Sequence, residues 1–164
     1  MPNVEPSQVD YTLFSDGSGH QDGYSGWMAI VLNHQDYNVH RAVGALSQSS
    51  VDRSEFTALL EGLELIHSGK AGKARCLPCI SKPRVRWYSD RESLVGSVAE
   101  KWGQGKGRHA QKDLWRRFEY YEGKFSIIPI HVARETEYPL FQEADLHASS
   151  MRILIKSYVE DIFP

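Results

Sequence analysis

Apolar and polar positions in the first third of the chain predict a β-meander followed by a helix. Three runs with apolar, β-type character cover residues 11–16, 27–34 and 38–47. The polar, turn-rich GSGHQDG and the short QDY between them are typical of tight connections, so the three strands are predicted to be antiparallel. Residues 50–68 carry apolar side chains at helical spacing and predict the first helix.

The rest of the sequence alternates between strand and helix patterns. We predict a strand at residues 85–90, helices in RESLVGSVAEKW and KDLWRRFEYYEG, and a strand in FSIIPIHV, where Pro129 favours an edge position. A last helix is predicted from about residue 141 to 162. The order β-β-β-α-β-α-α-β-α indicates an α/β fold with a five-stranded mixed sheet, three antiparallel strands followed by two parallel ones, and helices on both faces.

Composition restricts the protein class. The chain has 164 residues, 41% of them apolar, and a net charge of −2, as expected for one globular domain over residues 1–164 with residues 1–10 as a polar lead. No molecule-wide positive field attracts nucleic acid, so any such contact must be local. Because we find neither an apolar run of spanning length nor a signal-peptide pattern, we expect a cytoplasmic protein without membrane contact. We also expect a monomer.

The two cysteines, Cys76 and Cys79, lie in a CLPC motif. This spacing fits half of a zinc site or a redox pair. No second pair follows, and the flanking sequence is basic and interrupted by Gly and Pro. A plain loop is therefore favoured over a local disulfide or metal site.

Four acids share a position near the ends of predicted elements. Asp16 and Asp90 each end an apolar strand run, and Asp145 lies at the start of the last helix. Glu55 lies on the apolar arc of the first helix, where small neighbours such as Gly62 allow close approach to the sheet. Taken singly, a strand-end acid is usually a solvated cap, and an inward Glu usually pairs with Lys or Arg.

Together, the four acids suggest a metal site. Carboxylates from several elements do not remain ionised side by side unless cations neutralise them. A set of oxygen ligands without His or Cys favours a hard ion such as Mg²⁺ or Mn²⁺.

The sequences around these acids resemble the four acid-bearing motifs of the ribonuclease H family. They read FSDGSG, RSEFTALLEGLEL, YSDRES and EADLHAS, and KDLWRRF resembles the helix before the fifth strand of bacterial members. The resemblance implies the family's five-stranded mixed sheet. It also implies two Mg²⁺ or Mn²⁺ ions held by Asp16, Glu55, Asp90 and Asp145, with Asp16 bridging them, and hydrolysis of the RNA strand of RNA/DNA hybrids.

The sequence departs from the family pattern at positions that the family uses to bind substrate or release product. The loop ARETEYP lacks the histidine of bacterial members. His131, in HVARE, precedes that loop in a motif that resembles the HVPRE of plant-type reverse-transcriptase-like members. Acidic Asp52 and Glu92 stand where family enzymes usually carry amide side chains, and each either repels phosphate or accepts a hydrogen bond from a 2′-OH.

Basic and polar residues near the predicted site are candidates for nucleic-acid contact. The segment GQGKGRHAQK is basic and Gly-rich, with Trp102 beside it, so it either follows a phosphate backbone or forms a solvated loop. The complete candidate set is Gly17, Ser18, Asp52, Glu92, Lys106, Arg108, Lys112 and Arg134.

Two other functions stay open on sequence grounds. One is a structure-specific DNA nuclease of the resolvase type, whose last two acids usually lie within one helical turn, unlike Asp90 and Asp145. The other is a reverse-transcriptase-like domain that binds nucleic acid with weak or no catalysis. Retention of all four acids argues against it, whereas the missing loop histidine and Asp52 argue for it.

Overall fold

The computed structural model describes residues 9–73, 82–100 and 111–162. Four of the candidates from the sequence, Cys76, Cys79, Lys106 and Arg108, lie outside these ranges. The same holds for Trp102 and for most of the basic GQGKGRHAQK segment.

A five-stranded mixed sheet forms the centre of the described structure, with the strand order β3-β2-β1-β4-β5. β1 pairs antiparallel with β2, and β2 with β3, whereas β4 is parallel to both β1 and β5. This arrangement confirms the predicted fold class, and Pro129 lies on an edge strand as expected. The strands are β1 Tyr11–Gly19, β2 Ser25–Asn33, β3 Val39–Leu46, β4 Arg84–Ser89 and β5 Ser126–His131.

Four α-helices connect and cover these strands. The first begins after Ser50, whose side chain accepts a hydrogen bond from the backbone N–H of Arg53 and so caps the helix. The last begins at Pro139, two residues before the predicted start, because proline is well suited to the first helical position. The helices are α1 Val51–His67, α2 Glu92–Ala99, α3 Lys112–Glu122 and α4 Pro139–Ile162, with a short 3₁₀ turn at Glu135–Glu137.

The two faces of the sheet carry separate apolar cores. Leu13 of β1 and Trp87 of β4 lie in the core beneath α1, α2 and α3. Phe14, the next residue of β1, lies in the opposite core, where Phe141 and Ala148 of α4 pack. Because side chains alternate across a strand, β1 anchors helices on both faces, as predicted.

Glycines bring the two longest helices close to the sheet. A Cβ at Gly62 of α1 would lie 2.3 Å from Leu13 Cδ1, and a Cβ at Gly26 of β2 would lie 2.0 Å from the carbonyl oxygen of Ala148 in α4. The predicted close approach of α1 at Gly62 is therefore confirmed. None of the helices in the described ranges has both the length and the apolar composition needed to cross a bilayer.

Candidate metal centre

Three carboxylates from three different elements converge at one edge of the fold. One carboxylate oxygen each from Asp16, Glu55 and Asp90 lies within 4.8 Å of the other two. Asp16 is in β1, Glu55 is in α1 and Asp90 directly follows β4. These residues are far apart in the sequence, so the fold itself creates the cluster.

The parallel pairing of β1 and β4 places two of these acids side by side. Phe14 of β1 is in register with Tyr88 of β4. Asp16 and Asp90 each come two residues after this pair, and a carboxylate oxygen of each lies within 4.8 Å of one of the other. The prediction that both acids end a strand is confirmed for Asp90, which directly follows β4, and is wrong for Asp16, because β1 continues three residues further to Gly19.

Glu55 reaches the same position because β1 and α1 touch at a glycine. A Cβ at Gly17 would lie only 2.4 Å from the backbone nitrogen of Glu55, so no larger residue fits there without displacing the helix. The backbone N–H of Gly17 donates a hydrogen bond to the Glu55 carboxylate. The residue after Asp16 therefore positions the side chain of Glu55.

Burial and like charge make the site costly to ionise. Burial raises the pKa of Glu55 well above its usual value, and the charges of Asp16 and Asp90 raise it further. Within the described part of the chain, Glu55 Oε2 is buried without a hydrogen-bond partner. Three converging oxygen ligands and an unsatisfied buried carboxylate oxygen fit a hard divalent cation.

Asp145 acts on this cluster without belonging to it. It is half-buried in α4, and the group of three within 4.8 Å does not include it. Burial raises the pKa of Asp90, and the charge of Asp145 is the next largest cause. The structure thus brings the fourth predicted acid within electrostatic range of Asp90.

Comparison with known proteins gives matches only among solved structures. No protein-family model matches the chain, and no curated protein sequence does. The N-terminal RNase H domain of a Mycobacterium tuberculosis protein matches with a TM-score of 0.70 and 17% identity, over 92% of this chain and 99% of that one. Ribonuclease H1 from Halobacterium salinarum matches with a TM-score of 0.64 and 14% identity, over 86% of this chain and 96% of that one.

This chain has the ribonuclease H fold. A further match is LC11 ribonuclease H1, solved in complex with an RNA/DNA hybrid, with a TM-score of 0.59 and 16% identity, over 85% of this chain and 94% of that one. At such low identities the likeness establishes the fold. What this chain does with that fold must be argued from its own residues.

Arg91 is a charged residue close to the acids of the candidate site. The sequence pattern did not single out this arginine. It pairs with Asp52 of α1, and its Nε lies 2.9 Å from Asp52 Oδ1. Its positive charge also acts against the rise in the pKa of both Glu55 and Asp90. Asp52 is therefore not an isolated negative charge, as the sequence alone suggested. The available signal was the position of Arg91 directly after Asp90.

His131 is a strand residue that also borders the site. It is the last residue of β5 and is exposed. Its Nε2 lies 3.1 Å from the carbonyl oxygen of Asp90. The interpretation of His131 as part of a strand is confirmed, and that strand end adjoins the third acid.

The remaining described candidates for nucleic-acid contact are not members of the three-acid group. Gly17 and Ser18 are half-buried in β1, and the Ser149 hydroxyl of α4 is 3.4 Å from the Ser18 hydroxyl. Glu92 and Lys112 are exposed in the first turns of α2 and α3, and Arg134 is exposed after β5. Their roles in binding stay predictions.

Proposed function

We propose that this protein is a metal-dependent endonuclease that hydrolyses the RNA strand of RNA/DNA hybrids. The observation that carries the proposal is the convergence of carboxylate oxygens from Asp16, Glu55 and Asp90 within 4.8 Å on a ribonuclease H fold. Two buried acids, Asp16 and Glu55, beside the half-buried Asp90 are destabilising in the absence of a cation, so this cluster suggests a binding role.

Asp16, Glu55, Asp90 and Asp145 would hold the Mg²⁺ or Mn²⁺ ions. When bound, two such ions activate a water for attack on the phosphodiester and stabilise charge on the leaving oxygen. The chain's own contribution is to hold the ligands in place. The Gly17 N–H orients the Glu55 carboxylate, and the pairing of β1 with β4 up to Phe14 and Tyr88 leads both chains towards the positions of Asp16 and Asp90.

Arg91 contributes by balancing charge at the substrate side. Its guanidinium pairs with Asp52 and moderates the pKa of Glu55 and Asp90. This keeps the negative charge of the site from extending across the start of α1, where a phosphate backbone would approach. Both Asp52 and Glu92 offer carboxylate oxygens that accept hydrogen bonds from 2′-hydroxyls, the group that distinguishes RNA from DNA.

The choice of a hybrid substrate has support from a structural relative. LC11 ribonuclease H1 was solved with an RNA/DNA hybrid, and its fold is that of this chain. Because recognition of such duplexes depends on shape and 2′-OH contacts, we expect weak sequence preference.

A cleavage assay tests the proposal. The protein is incubated with labelled RNA/DNA hybrid, duplex DNA, duplex RNA and branched DNA, with Mg²⁺, Mn²⁺ or EDTA. We expect cleavage of the RNA strand of the hybrid alone, lost in EDTA and in Asp16→Asn but retained in Asp113→Asn, whose acid pairs with Arg53 on the surface. Cleavage of branched DNA only would favour a resolvase-type nuclease, and tight binding without cleavage would favour a non-catalytic domain.

A further inference from the structure

One side of α4 carries polar side chains that lead away from the candidate metal centre. Four of them recur at spacings of i, i+4, i+7 and i+11, which places them on the same side of the helix. All four are partly buried, so this side borders the sheet without being fully covered by it. They are Asp145, Ser149, Arg152 and Lys156, and we call them the α4 polar stripe.

The end of β1 lies beside the α4 polar stripe. Asp16 and Ser18 project from the same face of the sheet as Phe14, the face on which α4 packs. The Ser18 hydroxyl is 3.4 Å from the Ser149 hydroxyl. This contact comes two residues after Asp16 in β1 and one helical turn after Asp145 in α4. The stripe therefore continues from the acids along a surface that β1 and α4 form together.

Arg152 is a partly buried cation in this stripe, and its Nε has no partner. The nitrogen is buried, and none of the described residues forms a hydrogen bond with it. An arginine that only covers apolar surface buries its carbon stem and keeps its nitrogens in water, which is not the arrangement here. Desolvation of a charged group is costly unless an opposite charge or hydrogen bonds compensate for it. The guanidinium of Arg152 therefore favours an anion from outside the described chain.

The acids at this end of α4 compensate a different cation. Asp22, in the turn between β1 and β2, is 3.1 Å from Lys156 and 3.6 Å from His20. Glu160 is 4.0 Å from Lys156. The charge of Arg152 acts against the rise in the pKa of Lys156, so these two cations are close enough to repel each other. An anion bound at Arg152 would reduce this repulsion.

We propose that Arg152 binds a backbone phosphate of the nucleic-acid strand that crosses the candidate metal centre. The inference rests on the proposed function, because it requires a nucleic acid at the acids. Arg152 follows Asp145 by seven residues, about 10 Å along the helix. This distance corresponds to about three nucleotides of one strand. The planar guanidinium donates parallel hydrogen bonds to a phosphate, so Arg152 fixes the strand on one side of the phosphate that is cut.

Salt-dependent binding tests the proposal. Binding of a labelled RNA/DNA hybrid is measured over a series of KCl concentrations in EDTA, which prevents metal-dependent cleavage. Arg152→Gln should raise the Kd about tenfold, in the range of a charge-assisted hydrogen bond. It should also reduce the slope of log Kd against log salt by about 1, because one phosphate contact and its counterion release are lost. Arg152→Lys keeps the charge and should keep the slope.

Lys124→Gln is the matched control for the loss of one positive charge. Lys124 is exposed and lies two residues before β5. Because β4 and β5 are parallel, the start of β5 lies at the edge of the sheet opposite to Asp90. Lys124→Gln should therefore bind the hybrid like the wild type. Equal Kd and slope in Arg152→Gln and wild type, or equal losses in Arg152→Gln and Lys124→Gln, would overturn the proposal.

Cleavage kinetics separate this inference from the proposed function. Arg152→Gln should raise KM and leave kcat unchanged, because a contact remote from the cut phosphate is made equally in the ground state and the transition state. A wild type that binds the hybrid without cleaving it, with a reduced salt slope in Arg152→Gln, would refute the proposed activity and support the Arg152 contact. Wild-type cleavage with the same KM and salt slope in Arg152→Gln would leave the activity standing and overturn the Arg152 contact.

Discussion

Gly17 and Glu55 are in such close contact that the absent Cβ of the glycine would lie 2.4 Å from the backbone nitrogen of the glutamate. The same glycine donates its N–H to the Glu55 carboxylate. One residue thus allows α1 to approach β1 and also orients a metal ligand. The packing of the fold and the geometry of the candidate site depend on the same atom positions.

A methyl group at Gly17 should disturb both the packing of α1 against β1 and the orientation of the Glu55 carboxylate. We expect Gly17→Ala to lower the free energy of unfolding by about 1–3 kcal/mol, as for other overpacked positions, and to weaken Mn²⁺ binding by displacing Glu55. Urea unfolding and titration calorimetry measure the two effects. Gly96→Ala is the control, because Gly96 is in α2 with open space around it and alanine favours a helix by up to about 1 kcal/mol. Equal Mn²⁺ affinity in Gly17→Ala and wild type would argue against this coupling.

The protein without metal should lose stability as pH rises. Burial and the neighbouring acids raise the pKa of Glu55, so the folded state holds this proton more tightly than the unfolded state. Stability is then fully present below the ordinary glutamate pKa and falls as pH rises through the higher folded value. Glu55→Gln should reduce this fall, leaving the part that comes from Asp90, whose pKa is also raised, and should raise the free energy of unfolding at neutral pH by about 1–3 kcal/mol, the range for relieving an unsatisfied buried group. Urea unfolding in EDTA from acid to neutral pH measures the free energy of unfolding of both proteins.

Asp113 provides a control, because its pKa shift, and therefore its effect on the pH dependence of stability, has the opposite sign. Its hydrogen bond to Arg53 lowers its pKa, so its contribution is present above the ordinary aspartate pKa and is lost as pH falls. Asp113→Asn should therefore leave the neutral-pH decline of the wild type in place. If Glu55→Gln declines with pH as steeply as the wild type, Glu55 is not the group responsible.

Divalent cations should reverse the instability of the acid cluster. A ligand that binds only the folded state stabilises it by about 2.7 kcal/mol at 100 times its dissociation constant. We therefore expect Mg²⁺ and Mn²⁺ to raise the Tm of the wild type and of Asp113→Asn, and to leave the Tm of Asp16→Asn nearly unchanged. Thermal unfolding in EDTA and in each cation measures the shift, and Ca²⁺ at matched ionic strength shows how much of it depends on the ion. A shift of equal size in Asp16→Asn would place the binding elsewhere.

Loss of Arg91 should make the site harder to ionise. Its positive charge holds down the pKa of Glu55 and Asp90, so Arg91→Gln should move the midpoint of Mn²⁺ binding to higher pH. We expect the stability change to stay within about 1 kcal/mol, because the Arg91–Asp52 pair is largely exposed. Arg117→Gln, which breaks a similar pair with Glu61 of α1, should leave the midpoint in place. Coincident midpoints in Arg91→Gln and wild type would contradict this role.

The sequence predicted the fold well because each element carries a local signal. The helical spacing in α1 and the position of Asp90 directly after β4 depend on neighbours in the chain, and the structure has them as expected. The end of β1 was predicted less well, because the strand continues past Asp16 to Gly19. The partner of Asp52 could not be predicted this way. Arg91 lies 39 positions away, and only the β1–β4 register and the packing of α1 bring the two together. The place of Asp145 outside the three-acid group likewise depends on how α4 packs at Gly26, a contact between distant residues.

Crystals grown with Mn²⁺ test the central claim most directly. The claim is that Asp16, Glu55 and Asp90 together form a cation site, and Mn²⁺ can be located by its anomalous scattering. We predict anomalous peaks within coordination distance of oxygens of all three carboxylates, absent in crystals of Asp16→Asn. Well-ordered crystals with no peak at these residues, or with manganese bound only at other acids, would contradict the account.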